Sequence, residues 1–277
     1  MPMIGTLTTT ERVLRVRLRD GGAAGEERDD ELAVEEPLEI RIDGQSWSIT
    51  MRTPGDDLDL VAGFLVGEGV ITSRAHLASL GLPAGALDGN SVNAVLAPGA
   101  TPPSEAAARH SVTTSACGIC GTESIDAIEK QARWDLADDA GTVSAGVLAE
   151  LPDRLRGAQA IFDTTGGVHA AGLFTAAGDL LCVREDVGRH NAVDKVVGWA
   201  LRQDLLPLRG TVLQVSGRAS FELVQKARLA GIPVLAAVGA PSSLSRDLAD
   251  SSGLTLVGFS RSAGFNVYTH PHRVVLP

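Results

Sequence analysis

From Thr211 to Phe259 the chain alternates short apolar runs with amphipathic ones, and no other stretch restricts its fold as much. Thr211 to Val215 is β-branched and apolar, Ser220 to Ala230 has helical periodicity, and Pro233 to Val238 reads as a strand. A helix over Ser243 to Ser251 and a strand over Leu254 to Phe259 follow. Strand, helix, strand units of this length imply a mostly parallel sheet with helices on both faces. Upstream, Ala158 to Phe162 reads as a strand, and Ala170 to Phe174 and Leu180 to Arg184 flank an Ala177-Gly178-Asp179 turn. The segment Ala192 to Arg202 places Val193, Val196, Val197, Ala200 and Leu201 on one helical face, with Asn191 suited to its N-cap.

The first part of the chain has a different pattern. Val13 to Leu18, Leu38 to Ile42 and Ser46 to Met51 have strand character, with Asp43-Gly44 as a tight hairpin signal. Residues 21–31 combine glycine with an acidic run and read as a solvated loop. After Pro54-Gly55, Asp56 to Gly67 carries Leu58, Val61, Ala62 and Leu65 at helical spacing, with aspartates at its start where the helix dipole favours them. Pro98 to Arg109, rich in Pro and Ala, reads as a linker. A domain boundary is therefore expected near residue 110, between an α+β domain over 1–110 and an α/β domain over 111–277. A length of 277 residues with 44 % hydrophobic content allows either one large or two medium domains.

A net charge of −10 disfavours nonspecific attraction to nucleic acid or an anionic membrane. The longest apolar runs, Leu58 to Val66 and Pro233 to Ala240, are about half of the ~20 residues that span a bilayer. Met1 to Arg12 lacks the pattern of a secretory signal, so a cytoplasmic location is expected. Three cysteines in that setting argue against a disulfide framework and for reduced thiols.

Two of those cysteines, Cys117 and Cys120, lie in the small, polar loop Ser115-Ala116-Cys117-Gly118-Ile119-Cys120-Gly121-Thr122, which opens onto a helix-like stretch. A helix N-terminus favours the thiolate, the nucleophilic form. Three readings fit the pair. A zinc site needs two more ligands, for which His169 and His190 are the available extras. A dithiol redox pair has the right spacing, although about 110 residues precede it where thioredoxin-like proteins place the motif early. The third reading is a single thiolate that accepts sulfur as a persulfide with its neighbour's help, in a loop whose small residues supply backbone freedom. Cys182, in an apolar run, reads as core.

Other candidates cluster after position 165. His169 lies between the Gly166-Gly167 pair and a strand. Arg184 to Asn191 is a polar connector between an apolar strand and an amphipathic helix, where α/β proteins place binding groups; the alternative is a solvated connector with internal ion pairs. Val215-Ser216-Gly217-Arg218-Ala219-Ser220 forms a strand-turn-helix with Ser216 and Arg218 at the helix entrance, an arrangement that receives phosphate. Phe259-Ser260-Arg261-Ser262-Ala263-Gly264 follows the last strand as a flexible loop whose arginine, between hydroxyls, suits a nucleotide or pterin phosphate.

In ordered succession, Cys117-Gly-Ile-Cys120-Gly, Thr165-Gly-Gly-Val-His169-Ala-Ala, Arg184-Glu-Asp-Val-Gly-Arg-His-Asn191-Ala-Val-Asp-Lys195, Val215-Ser-Gly-Arg-Ala-Ser-Phe-Glu222 and Phe265-Asn-Val-Tyr268-Thr-His270 resemble the FdhD/NarQ family, over roughly residues 30–275. The resemblance implies a three-layer, cytidine-deaminase-like α/β domain after a smaller β-rich α+β N-terminal domain. Deaminase chemistry needs His-x-Glu and Pro-Cys-x-x-Cys. Here the first position reads His169-Ala170-Ala171, without the glutamate, and the Cys-x-x-Cys comes earlier and lacks the proline.

What the resemblance implies for function is a cytoplasmic sulfurtransferase that takes persulfide sulfur from a cysteine desulfurase. It delivers that sulfur to molybdenum in the bis(molybdopterin guanine dinucleotide) cofactor before insertion into formate dehydrogenase. Cys117 matches the family's persulfide-bearing cysteine, with Cys120 as helper, and Phe259 to Gly264 matches its cofactor-binding loop, with Ser216, Arg218 and His169 as further contacts. The resemblance also implies a homodimer and no intrinsic metal. Two other readings stay open, a non-catalytic chaperone of the cofactor or apo-dehydrogenase and a zinc-dependent deaminase-like enzyme.

Overall fold

The computed structural model describes residues 6–19, 22–83, 89–100, 112–113 and 133–277. Cys117 and Cys120 lie outside the described residues, as does most of the expected linker beyond position 100. No helix among the described residues is long and apolar enough to cross a membrane.

The alternating region builds a six-stranded sheet. Its strands are β9 (His169–Thr175), β10 (Leu180–Asp186), β11 (Thr211–Val215), β12 (Val234–Ala237), β13 (Thr255–Arg261) and β14 (Gly264–Val267), in the order β10-β9-β11-β12-β13-β14. The expected mostly parallel sheet is corrected to a mixed one. Only β11 to β12 and β12 to β13 are parallel; β10, β9 and β11 run alternately, and β14 is antiparallel to β13. Connection length explains this, because a tight turn such as the one through Gly178 (φ 89°) can join only antiparallel neighbours, whereas parallel neighbours need a crossover. The crossovers are α5 (Phe221–Leu229) and α6 (Ser243–Ser251).

Side-chain alternation covers both faces of this sheet. Ala170, Phe174, Val212, Val234, Ala236 and Val257 face Leu148, Leu151 and Leu155 of α2 (Ala145–Arg156), which follows the short strand β8 (Val143–Ser144). Their alternates Ala171, Leu173, Leu213, Leu235 and Leu256 face α4 (Arg189–Arg202), α5 and α6. Cys182 is buried here as expected, and burial pushes its thiol up to about 12, so it is an inert core residue.

The N-terminal part forms a five-stranded sheet. Besides β3 (Glu36–Ile42) and β4 (Gln45–Arg52) it contains β5 (Leu77–Gly81), β6 (Ser91–Leu96) and β7 (Val112–Thr113), in the order β5-β6-β3-β4-β7. Asp43 and Gly44 turn β3 into β4 with φ of 48° and 81°, the doubly left-handed geometry of a type I′ turn. Helix α1 (Asp57–Gly67) crosses α4 at van der Waals contact between backbones: a Cβ at Gly63 would lie 1.8 Å from Asp194 O, and one at Gly198 1.8 Å from Asp59 O. One apolar cluster therefore runs without a break from Leu38 in β3 to Leu256 in β13.

Three local expectations are corrected. The acidic segment 21–31 is largely strand rather than loop: β2 (Gly22–Ala33) pairs along its length with β1 (Thr8–Arg19). The register supplies the reason, since it sets acids of β2 against arginines of β1, with Arg12 2.9 Å from Asp29 and 3.5 Å from Glu27. Ala158 to Phe162 is not a strand; α3 (Ala160–Thr165) begins within it, its first N–H groups held by the Glu185 carboxylate at 2.8 Å (Ile161) and 2.9 Å (Phe162). Asn191 is not the N-cap of α4. Gly188 holds that position, and the Asn191 amide is buried in the first turn, donating to Met51 O at 2.8 Å and Asp186 Oδ1 at 3.0 Å.

Candidate functional site

Where the C-terminal ends of β11, β12 and β13 meet α2, α3 and the start of β9, a cavity of about 720 Å³ opens. That is the size range of small-molecule sites, in the usual position for an α/β sheet. It gathers five residues singled out in the sequence: His169, Ser216, Ser260, Arg261 and Ser262. The other members of that set, Phe259, Ala263, Gly264 and Arg218, do not line it. Arg218 is exposed and packs against Gly239, where an added Cβ would come within 2.9 Å of its Cγ.

Phe259 to Gly264 is not a flexible loop. It continues β13 to Arg261, turns at Ser262-Ala263 and enters β14, with a register shift between Gly258 and Arg261. The shift is a bulge centred on Phe259, whose φ is 52°, and it re-aims the residues after it. Ser260 is consequently buried and 3.4 Å from Gln214 Oε1, while Arg261 and Ser262 stay exposed. Arg261 thus offers its guanidinium to an anion at the edge of a built hairpin.

The floor is more tightly held. Ser216 Oγ accepts from Ala170 N at 2.9 Å, which leaves its own proton free for donation. His169 opens β9 and lies 3.6 Å, through Nδ1, from where a Cβ on Gly217 would stand. Burial first, then the Arg189 charge, holds the imidazole below its usual 6.5, so His169 is neutral at pH 7 and presents one donor and one acceptor.

The connector Arg184 to Asn191 supports the cavity through the ion pairs and caps of its plainer reading. Arg184 is 2.9 Å from Asp59, Glu185 caps α3, and buried Asp186 receives the N–H of Thr53 at 3.1 Å and of Gly188 at 2.8 Å. Lys195 lies 2.8 Å from Asp186 and donates to Thr53 O at 2.9 Å. His190, weighed above as a metal ligand, is 3.2 Å from Glu222 and 3.4 Å from Ser220. Among the described residues, no three His, Cys, Asp or Glu groups converge on a point that would hold a metal ion.

Sequence reasoning missed the wall opposite the hairpin. Asp153, Arg156, Gln159 and Phe162 reach the cavity from α2 and α3. Reading 158–162 as a strand hid them, and no motif marks them. The Arg156 guanidinium sits 4.7 Å over the Phe162 ring and pairs with Asp163.

Comparison with known proteins gives a consistent result. The model of the FdhD/NarQ family matches residues 33–275. "Sulfur carrier protein FdhD" of Streptomyces avermitilis is 56 % identical, with 96 % of each chain covered, and its counterpart in Nocardia farcinica is 53 % identical over 98 % of this chain and 96 % of that one. A more distant relative of the same name, from Sulfolobus acidocaldarius, is 44 % identical over 94 % of this chain and 96 % of its own. Among solved structures, one from Desulfotalea psychrophila described as a formate dehydrogenase accessory protein superposes with a TM-score of 0.73 at 26 % identity, covering 98 % of this chain and 100 % of that one. A family model that matches residues 33–275, and relatives more than half identical along nearly their whole length, lead to one conclusion: this chain belongs to the FdhD/NarQ family.

Proposed function

We propose that this protein is a sulfur carrier that supplies sulfur for formate dehydrogenase maturation, using Cys117 as the persulfide-bearing nucleophile. The observation that carries this reading is the near full-length identity to relatives named sulfur carrier protein FdhD. Sulfur arrives by exchange: the Cys117 thiolate attacks the outer sulfur of a donor persulfide, the donor S–S bond breaks, and the donor leaves as a thiolate, with no net redox change. Release of that sulfur at the sulfide level requires two electrons, which Cys120 supplies by closing a disulfide with Cys117.

The donor is a cysteine desulfurase, and the acceptor is the molybdenum bis(molybdopterin guanine dinucleotide) cofactor, bound as substrate. Neutral His169, the free proton of Ser216 and the Arg261 guanidinium at the cavity edge suit an oxygen-rich, anionic ligand of nucleotide size, which supports that assignment. Three further elements belong to the same reading: a homodimer, a cytoplasmic location, and a division near residue 110. The strand order of the six-stranded sheet, with helices on both faces, supports a cytidine-deaminase-like layering of the C-terminal part.

Mass spectrometry after incubation with a cysteine desulfurase and cysteine tests the reading. A gain of about 32 Da on Cys117 is expected, the first persulfide step. Loss of formate dehydrogenase activation in Cys117→Ala should accompany it. An unmodified Cys117, together with a Cys117→Ala protein that still supports activation, would instead leave a cofactor-holding chaperone.

A further inference from the structure

The wall built by α2 and α3 holds a polar group that the fold leaves unused. Gln159 is 3 % exposed and lines the cavity. Its backbone joins the two helices, with its N–H donating to Arg156 O at 3.3 Å and its carbonyl accepting from Asp163 N at 3.1 Å. Its side-chain amide has no hydrogen-bond partner among the described residues. The amide is not sealed from solvent, so water satisfies it at the cavity wall, and a ligand that reproduces those hydrogen bonds can take the water's place.

A carboxamide sets one acceptor beside two donors. A phosphate cannot satisfy it, because phosphate oxygens offer only acceptors to the Oε1 side. A matching edge is a ring carbonyl next to a ring N–H, a lactam, with Nε2 donating to the carbonyl and Oε1 accepting the ring proton; the amino and ring-nitrogen edge of adenine pairs in the same way. The surroundings favour a planar heterocycle. Phe162 and Leu155 give apolar surface on the same wall, and Gly166 and Gly167 keep the adjoining stretch free of side chains.

We propose that Gln159 is a recognition residue that pairs with the lactam edge of a planar heterocycle bound in this cavity. This rests on the sulfur-carrier reading, whose cargo carries that edge in two places: guanine, with C6=O beside N1–H, and pterin, with C4=O beside N3–H.

Isothermal titration of the full chain with GDP, inosine diphosphate and free pterin tests it, using the wild type, Gln159→Leu and Gln159→Glu, with thermal melts as the folding control. Gln159→Leu should weaken GDP, pterin or both by about tenfold to a few hundredfold. GDP alone affected assigns guanine to this wall, and pterin alone assigns the pterin. Gln159→Glu keeps the size and accepts from both the ring N–H and the neighbouring 2-amino group, so it should retain GDP and lose inosine diphosphate, which lacks that amino group. Wild-type affinities in Gln159→Leu, or equal losses of GDP and inosine diphosphate in Gln159→Glu, would overturn the role of Gln159 while sulfur loading of Cys117 stands. A wild type that binds neither GDP nor pterin would overturn it together with the assignment of the cargo.

Discussion

Lys195 is 1 % exposed and its ammonium lies 2.8 Å from the Asp186 carboxylate, which is itself fully buried. Removing one member of such a pair leaves an uncompensated charge in the interior, a loss of about 3–5 kcal/mol. Lys195→Met should therefore lower urea-melt stability by that amount, and pairing it with Asp186→Asn should recover most of it. The His190–Glu222 pair acts on the acid side. The hydrogen bond from His190 outweighs burial and holds the Glu222 carboxyl down to about 2, from 4.5. A carboxyl depressed on folding stabilises above its unfolded pKa, and that contribution is lost as pH falls from about 4.5 to about 2. Comparing urea melts at pH 7 and pH 3, Glu222→Gln should be destabilised by about 1–2 kcal/mol at pH 7, after allowance for its partial exposure, and by less at pH 3. Neither pair was legible in the sequence, where Arg184 to Asn191 reads first as a binding connector; the difference lies in partners as remote as Thr53 and Glu222.

At the level of elements, the α1–α4 crossing brings two glycines into backbone contact. A Cβ at Gly63 or Gly198 would meet opposing backbone oxygens at 1.8 Å, and backbone cannot move aside as a flexible side chain does. Gly198→Ala should force the helices apart and cost at least about 3 kcal/mol, read as a drop in the denaturation midpoint, whereas Gly146→Ala, 3.9 Å from its nearest neighbour Ser144 Oγ, should leave the midpoint nearly unchanged. The same helices show what periodicity conveys. Ser243 to Ser251 reads as a helix from its spacing and forms one over those residues, because a Ser242–Ser245 capping box fixes its start locally. Residues 158–162 read as a strand because the four small or apolar residues around Gln159 carry no period. Their helix is set by Glu185 arriving from β10, a tertiary partner that local pattern cannot show. Strand direction was lost for a related reason: apolar runs mark strands alike whether they run parallel or antiparallel, and the turn lengths around Gly178 and Ser262 decide.

For the molecule as a whole, the β1–β2 ribbon meets the rest of the fold at its root, beside α3. Its strands are 12 residues each, about 40 Å of extended chain, while the apolar clusters begin at Leu38 and the family match at residue 33. Leu14, Val16 and Leu18 alternate along β1 with exposures of 65 %, 56 % and 84 %, so the ribbon buries little apolar surface and holds itself mainly by its ladder and by exposed Arg–Asp and Arg–Glu pairs. Such pairs are worth roughly 0–1 kcal/mol each and weaken with salt. A chain starting at Leu32 should therefore keep its cooperative unfolding transition and melt within a few degrees of the full chain, with sulfur loading of Cys117 retained. Differential scanning calorimetry checks the first part and the 32 Da adduct the second. A collapse of the transition would mean that β1 and the rest of β2 are needed to hold Ala33 against Gly167 at the cavity mouth, and with it α3 and the wall that carries Gln159.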